Sequence, residues 1–493
     1  MDVDVYGCGK EKVVSLKKSI VSGVKWTTLS TSLITGIQAF QLIVLARLLK
    51  PEDFGLMAMA MVVIGFCQAY ADMGVSAAIV YKQDISDNQL SSLYWLNVIA
   101  GFVIYFIILA VTPFVTIFFH EPRIGEVLPV IAISIIISSL SLQFHWLLEK
   151  GLQFDLLAKQ EIASTVIAGI VAIASAFMGH GVWSLVWGQL TASGIKTMLL
   201  LKVGLSKWPP RLHLRTNDLG EYLRFGMYQM AERSLNYFNT KVDQLLIGNL
   251  LGAHELGYYN FAFQLVSEPV SRINPILTRV AFPVFAKMQG AILRLQQGYI
   301  KMVTLLSSTN APLLIGLAAV APLLIPAIFG PQWTPAVILV QILALYSFFR
   351  STGNPIGSLL LARGRADLGF RWNLGLFFVT APAVYLGARI GGSTGIASTL
   401  LLMQIFYSII GYVLLVKPMI GNCVKPYALC ILKPAILALI MGSWVWLLSL
   451  SKFTSAAWLA FEIITGGCVY ILLLWHFDRN LILELKDILR RAE

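Results

Sequence analysis

The chain has 493 residues, of which 57% are hydrophobic and 13% charged, at a mean hydropathy of +0.76. A soluble domain carries roughly 25% charged residues, so too few remain here to coat a water-soluble surface, and the chain reads as an integral membrane protein. The net charge of +12 is then a signal of topology and of contact with anionic lipid heads, and nucleic acid is not an expected partner.

A span needs about 20 apolar residues. About 14 such stretches are expected, centred near residues 35, 66, 106, 137, 168, 193, 238, 267, 315, 346, 378, 404, 438 and 466. Polar residues interrupt those near 193, 238 and 346. Residues 1–22 form a basic lead-in, and 23–203 form a first lobe of six spans. Residues 204–221 link it to a second six-span lobe at 222–416, and Pro209-Pro210 breaks any helix in the linker. Two further spans fill 417–477, and 478–493 form an amphipathic tail on the membrane surface. No C-x-x-C pair joins any of Cys8, Cys67, Cys423, Cys430 and Cys468, which read as free thiols.

The first hydrophobic hairpin has a distant copy. Leu45 to Ala60 reads L-A-R-L-L-K-P-E-D-F-G-L-M-A-M-A, and Gly248 to Ala262 reads G-N-L-L-G-A-H-E-L-G-Y-Y-N-F-A. At an offset of 202 residues, Leu48 and Leu49 meet Leu250 and Leu251, Gly55 meets Gly257, and Ala60 meets Ala262. Each copy is a short acidic turn between two long apolar stretches. Repeated membrane bundles are how many transporters build a central site, so transport is the leading expectation.

Lysine and arginine placement orients the spans. With a cytoplasmic N-terminus, Lys10 to Lys25, Lys202 to Arg224, Arg279 to Lys301, Arg363, Arg365, Arg371, Lys417, Lys425 and Lys433 fall on inside connections. Only Arg47, Lys50, Arg123, Arg389 and Lys452 fall outside. This is the positive-inside asymmetry; it supports an even number of spans with both termini in the cytoplasm.

Charges inside spans are costly and mark function by default. The set here is Asp72, Lys196, Glu232, Arg233, Lys241, Asp243, Glu268, Arg272 and Arg350. Lys196 sits near a span end, where its ammonium can reach the interface, and Asp72 sits where the second span meets the cytoplasm. The seventh span is the most polar: Gln229, Glu232, Asn236, Asn239 or Thr240, and Asp243 share one face at helical spacing, with Arg233, Tyr237 and Lys241 on a second row. Such a helix lines a water-filled cavity or packs on polar partners. In the repeat register Gln38 and Gln41 stand opposite Thr240 and Asp243, so the first helix of each lobe is expected to face one central space. Glu268-Pro269 and Arg272-x-Asn274-Pro275 follow in the eighth span, and Arg350 and Asn354 stand one turn apart in the tenth. For each charge a structural ion pair competes with a cavity role: Lys241 with Asp243, or Arg350 with Glu232, Asp243 or Glu268.

Further residues carry a family resemblance. G-V-K-W at 23–26, V-L-A-R-L-L at 44–49, F-G-L at 54–56 and L-Y-W-L-N at 93–97 belong to it. So do L-R-F-G at 223–226, N-Y-F-N-T-K-V-D at 236–243 and L-G-Y-Y-N-F-A at 256–262. The fullest pieces are I-N-P-I-L-T-R-V-A-F-P-V-F-A-K at 273–287 and R-S-T-G-N-P-I-G-S-L-L-L-A at 350–362. Together they resemble Wzx-type polysaccharide flippases of the colanic acid exporter kind, within the multidrug/oligosaccharidyl-lipid/polysaccharide superfamily. The resemblance implies an all-α polytopic fold with two lobes in a V around a cavity that opens alternately to each side. It implies export of undecaprenyl-pyrophosphate-linked oligosaccharide repeat units across the bacterial inner membrane, with polysaccharide polymerase or export machinery as partners.

Cations on the path suit an anionic lipid pyrophosphate. Arg233, Lys241, Arg272 and Arg350 are the expected substrate contacts. Gln38, Gln41, Gln229, Glu232, Asn236, Thr240, Asp243, Glu268 and Asn354 are the polar lining. Glu232 and Asp243 either bind a coupling H+ or Na+ or hold the basic side chains in place. No cofactor or metal is expected. Two rival functions remain: a drug/cation antiporter of the same superfamily, which should prefer acidic cavity residues, and a membrane-embedded polysaccharide polymerase or ligase, which should need a larger outside loop.

Overall fold

The computed structural model describes residues 7–71, 85–215, 220–278, 281–449 and 456–478. Asp72 and the tail at 479–493 lie outside these residues. The described chain is built of helices and turns, without strands. Among the described residues eight helices are long and apolar enough to cross a membrane, nine if the bent pair Ile124–Ser139 and Leu142–Lys150 counts as one span. The protein is an all-α, multi-span membrane protein. Its packing divides it into two units, residues 1–238 and 239–493.

Unit 1 contains α1 (Gly7–Leu48), α2 (Pro51–Ala71), α3 (Asp87–Phe119), α4 (Ile124–Ser139), α5 (Leu142–Lys150), α6 (Phe154–Phe177) and α7 (Val182–Lys207). Local chemistry sets the ends. Pro51 starts α2, where its missing N–H is no loss, and Asp53 Oδ2 accepts the Lys50 N–H at 3.0 Å. Ser86 and Gln89 form a reciprocal capping box at the start of α3. His120, in the left-handed region at φ 54, ends that helix. α1 packs on α6, α6 on α7, α3 on α4, and α4 on α7 and α2.

The next helix, α8 (Gly220–Thr278), is two helices joined at Gly252, whose φ of 82 and ψ of −177 no side-chain-bearing residue adopts comfortably. Unit 1 claims the start of its first half: Tyr237 Oη donates to Val62 O at 2.8 Å and Ser234 Oγ to Tyr70 Oη at 2.5 Å. A methyl group at Gly65 would meet Tyr237 Oη at 2.5 Å, so glycine lets this helix approach α2 closely. These bonds explain why the boundary between the units falls at residue 238, inside α8, rather than in the linker.

Unit 2 holds the rest of α8, then α9 (Ala281–Met288), α10 (Ile292–Leu324), α11 (Ala336–Thr352), α12 (Asn354–Ala362), α13 (Ala366–Gly411), α14 (Lys417–Ile420), α15 (Val424–Ser449) and α16 (Ala456–Phe477). α13 is likewise broken, at Gly391 and Gly392. α10 packs on α11 and α11 on α13, as α3 packs on α4 and α4 on α7 in unit 1. The turn between α10 and α11 buries Trp333, stacked on Phe261 at 4.2 Å with Phe329 edge-on to Phe261 at 4.9 Å. The final pair, α15 and α16, packs on α10 through Val320, Val445 and Leu459, and Tyr470 Oη donates to Ser308 O at 3.0 Å.

The two units repeat one contact in detail. Asp53 and Glu255 occupy the same place in the 202-residue register, each in the turn of the first helical hairpin of its lobe. Asp53 lies against Gly181 in the α6–α7 turn, where an added Cβ would stand 3.2 Å from Oδ1. Glu255 Oε2 accepts a hydrogen bond from Ser393 Oγ at 2.5 Å, beside the break in α13. Gly181 (φ 55, ψ −131) and Gly392 (φ 60, ψ −139) hold nearly the same backbone conformation. An acid from the first hairpin thus meets a glycine turn of the last hairpin in both lobes.

Candidate functional site

Unit 2 gathers charged side chains on the apolar helices α8 and α11. The turn at Gly252 folds the second half of α8 (253–278) back beside the first (220–251). Tyr259 Oη therefore reaches Asp243 Oδ2 across the hairpin at 2.5 Å. The other carboxylate oxygen, Oδ1, accepts the Gln244 N–H at 2.8 Å. One rung along, Gln244 Nε2 donates to Asn260 Oδ1 at 3.2 Å, and Gln244 Oε1 accepts from Lys241 Nζ at 3.1 Å. Asp243, Gln244 and Tyr259 are buried. Buried polar groups cost stability unless hydrogen-bonded, and this ladder satisfies them while fixing the register of the hairpin.

The cations stand differently. Lys241 bonds Gln244 rather than Asp243, and Asp243 is engaged by the Tyr259 hydroxyl and a backbone N–H. Arg350 arrives from α11 within electrostatic range of both Lys241 and Asp243. Among the described residues its hydrogen bond goes to Tyr346 Oη, at 3.3 Å from Nη1, with the guanidinium carbon 5.9 Å from the Tyr346 ring. Arg350 is an exposed residue, and the bond to Tyr346 uses one of the five donors its guanidinium carries. Two cations and one occupied carboxylate leave a surplus positive charge beside two phenols. Chemically this arrangement is suited to an anion, and a fork of guanidinium donors matches phosphate oxygens in particular.

The remaining expected residues are distributed as follows. Arg272 Nε lies 3.6 Å from Glu268 Oε2, one turn earlier on the same helix, so these two form an ion pair. Asn274, next to the second proline of that helix, is buried and accepts from Asn310 Nδ2 at 2.8 Å. Asn354 is exposed at the start of α12, after the break at Gly353. Asn236 is exposed and Thr240 half-buried on the same turns as Lys241. The side chains of Gln229, Glu232 and Arg233 lie outside the described residues. In unit 1, Gln38 is exposed, while Gln41 lies against Gly169 of α6, 3.4 Å from where a Cβ would stand. The structure therefore brings Lys241, Asp243 and Arg350 together and pairs Arg272 with Glu268. Among the described residues no group of three or more His, Cys, Asp or Glu side chains is placed to hold a metal ion.

Tyr259, Gln244, Asn260 and Tyr346 belong to this site and were not among the residues singled out from sequence. A signal for the first three exists: two residues equidistant from a hairpin turn face each other. Asp243 and Tyr259 are nine and seven positions from Gly252, and Gln244 and Asn260 are eight positions each. Tyr346 is one helical turn before Arg350, the spacing at which side chains on one helix touch.

The profile of a polysaccharide biosynthesis protein family matches residues 44–338. The lipopolysaccharide biosynthesis protein WzxC of Escherichia coli (strain K12) is 32% identical over 427 residues, 86% of this chain and 87% of that protein. The teichuronic acid biosynthesis protein TuaB of Bacillus subtilis (strain 168) is 34% identical over 465 residues, 93% of this chain and 96% of that protein. Among solved structures, the lipid II flippase MurJ superposes with a TM-score of 0.72 over 92% of this chain and 99% of that chain. At 14% identity this is a likeness of fold.

Proposed function

The chain belongs to the polysaccharide biosynthesis protein family, and from that premise we propose that it is a flippase for polyprenyl-pyrophosphate-linked oligosaccharides. It is a transporter rather than an enzyme. Its substrate is an undecaprenyl-pyrophosphate-linked repeat unit, carried from the cytoplasmic to the outer leaflet of the bacterial inner membrane, with both termini in the cytoplasm. A polymerase or export complex on the far side would take up the product.

The observation that carries this reading is the surplus positive charge of Lys241 and Arg350, with Asp243 already engaged by Tyr259. A lipid pyrophosphate needs cations where its head enters the membrane, and a drug cation would be repelled there. Arg350 supplies the open donor fork and Lys241 a point charge; Tyr346 holds the guanidinium by a hydrogen bond and by its ring face. Arg233 and Arg272 extend the basic path, Arg272 tethered to Glu268. Thr240 and Asn354 of unit 2 supply neutral polar groups for the sugar. Asp243, with both oxygens engaged, positions the α8 hairpin. A proton or sodium gradient would act through Asp243 or Glu232.

Thermal unfolding of the detergent-purified protein tests the anion preference. A ligand that binds the native state raises stability with its concentration over Kd. Farnesyl pyrophosphate should raise Tm, farnesol should not, and Arg350→Gln should abolish the shift without lowering the unliganded Tm. An equal shift with farnesol, or an undiminished shift in the variant, would contradict an anion site at Arg350.

A further inference from the structure

The linker that leaves α7 is fastened to unit 1 by its backbone. Trp208, the first residue after α7, packs beside Phe144 in the Tyr94–Val98–Phe144 cluster. Gly204 makes room for Phe144, which a Cβ there would overlap at 2.2 Å. Beyond Pro209-Pro210 the chain lies along the first turns of α3. The Arg211 N–H donates to Ser91 Oγ at 3.2 Å, and Arg211 O accepts from Trp95 Nε1 at 2.8 Å. Ser92 Oγ donates to His213 O at 3.4 Å and accepts the Arg215 N–H at 3.2 Å. The His213 N–H also closes a three-residue turn on Arg211 O at 2.8 Å. Five hydrogen bonds in five residues make this a fixed strap.

The strap presents leucines outward. Leu212, at the apex of the tight turn, is 92% exposed, and Leu214 is 50% exposed. Neither lies in a span, so the lipid-facing belt of the helices does not account for them. Leu205, on the last turns of α7, is also exposed. Around them stand Lys202, Lys207, Arg211 and Arg215, all exposed, with no acidic residue anywhere from 202 to 215. Lys207 bonds Gln153; the two strap arginines hold their backbones to α3 and keep their side chains in solvent. The strap sits where α3 begins and α7 ends.

We infer that residues 205–215 are a docking surface for an anionic phospholipid leaflet. Leu212 and Leu214 enter the headgroup–acyl boundary, and Arg211 and Arg215 engage lipid phosphates. Apolar side chains flanked by basic ones bind such a surface by buried area plus attraction to anionic heads. Trp208 and the snorkelling stems of Lys202 and Lys207 suit the same depth. Because Ser91, Ser92 and Trp95 hold the backbone, the surface pre-exists and unit 1 is seated on the leaflet at a fixed height. Positive-inside placement makes this the cytoplasmic leaflet.

The test uses the full chain with its five cysteines replaced by serine, carrying Leu212→Cys labelled with a nitroxide. The protein is reconstituted in vesicles of phosphatidylcholine alone or mixed with phosphatidylglycerol. Collision with oxygen against a nickel chelate reports depth. A label about 5–10 Å into the boundary, deeper with phosphatidylglycerol, is expected. Arg211→Gln with Arg215→Gln should remove the dependence on phosphatidylglycerol, and Ser91→Ala with Ser92→Ala should raise label mobility. A label as open to the nickel chelate as an aqueous loop would overturn the inference. So would a label shielded from both reagents, which would mean that protein covers Leu212, as in a second copy of the chain.

Discussion

Tyr259 and Asp243 hold the hairpin that carries Lys241, and their bond is the part of the site most exposed to a single atom change. Tyr259→Phe removes the hydroxyl and leaves a buried carboxylate oxygen without its donor, which costs about 1–3 kcal/mol. A fall in Tm of that size is expected in detergent, and Asp243→Asn in the Tyr259→Phe background should recover part of it. A second residue-scale prediction concerns the α3–α4 turn. Arg123 makes a two-pronged bond to Glu121, at 2.8 Å and 2.9 Å, and lies 3.7 Å from Glu52. The hydrogen bonds from Arg123 hold the Glu121 carboxyl below the ordinary carboxylate range. A lowered acid stabilises the fold above its unfolded pKa and loses that contribution as pH falls through the folded one. Glu121→Gln should therefore lower stability at neutral pH by about 0.2–1 kcal/mol, as befits a pair whose arginine is half open to solvent. Melts of variant and wild type should converge under acid. Lys241, Asp243 and Arg350 were legible in sequence because a charge in an apolar span stands out. Tyr259 and Tyr346 were not, because a tyrosine in a span reads as packing until its hydroxyl is seen to face a carboxylate or a guanidinium.

At the scale of elements, the repeat shows in glycine turns as well as in helix order. Gly181 and Gly392 both hold positive φ, in a sparsely populated region where an added side chain costs about 1–3 kcal/mol. They differ in surroundings: a Cβ at Gly181 would also press on Asp53 Oδ1, and one at Gly392 would meet nothing within 4 Å. Gly181→Ala should therefore lower Tm more than Gly392→Ala, and Asp53→Ala should narrow the gap when added to Gly181→Ala. Equal losses at the two glycines would contradict a latch at Asp53. Sequence comparison exposed the first hairpin of each lobe because its offset is uniform. It missed the last hairpin because Gly392 follows Gly181 by 211 residues rather than 202; extra residues between the hairpins shift the register.

Over the whole molecule, composition alone placed the chain in the membrane, and hydropathy placed the helical segments where the structure has them. The spans near 193 and 238, which polar residues interrupt, lie in α7 and α8, and neither helix is among those apolar enough to count as a span by composition. In α8 the polar residues that obscured the span include Lys241, Asp243 and Gln244 of the buried ladder. The sugars of the substrate left no comparable mark, because hydroxyl groups are met by neutral side chains that occur in any helix.

The central claim is that this chain moves an anionic lipid-linked oligosaccharide between leaflets by way of Arg350. The direct measurement is the rate at which a labelled polyprenyl-pyrophosphate oligosaccharide changes leaflet in proteoliposomes of wild type and Arg350→Ala. Protein-dependent movement, slowed at least about tenfold in the variant by the loss of about 1.4 kcal/mol or more from the charged path, is the expected result. Movement at the same rate in both, or no movement alongside efflux of cationic dyes from the same vesicles, would contradict the account.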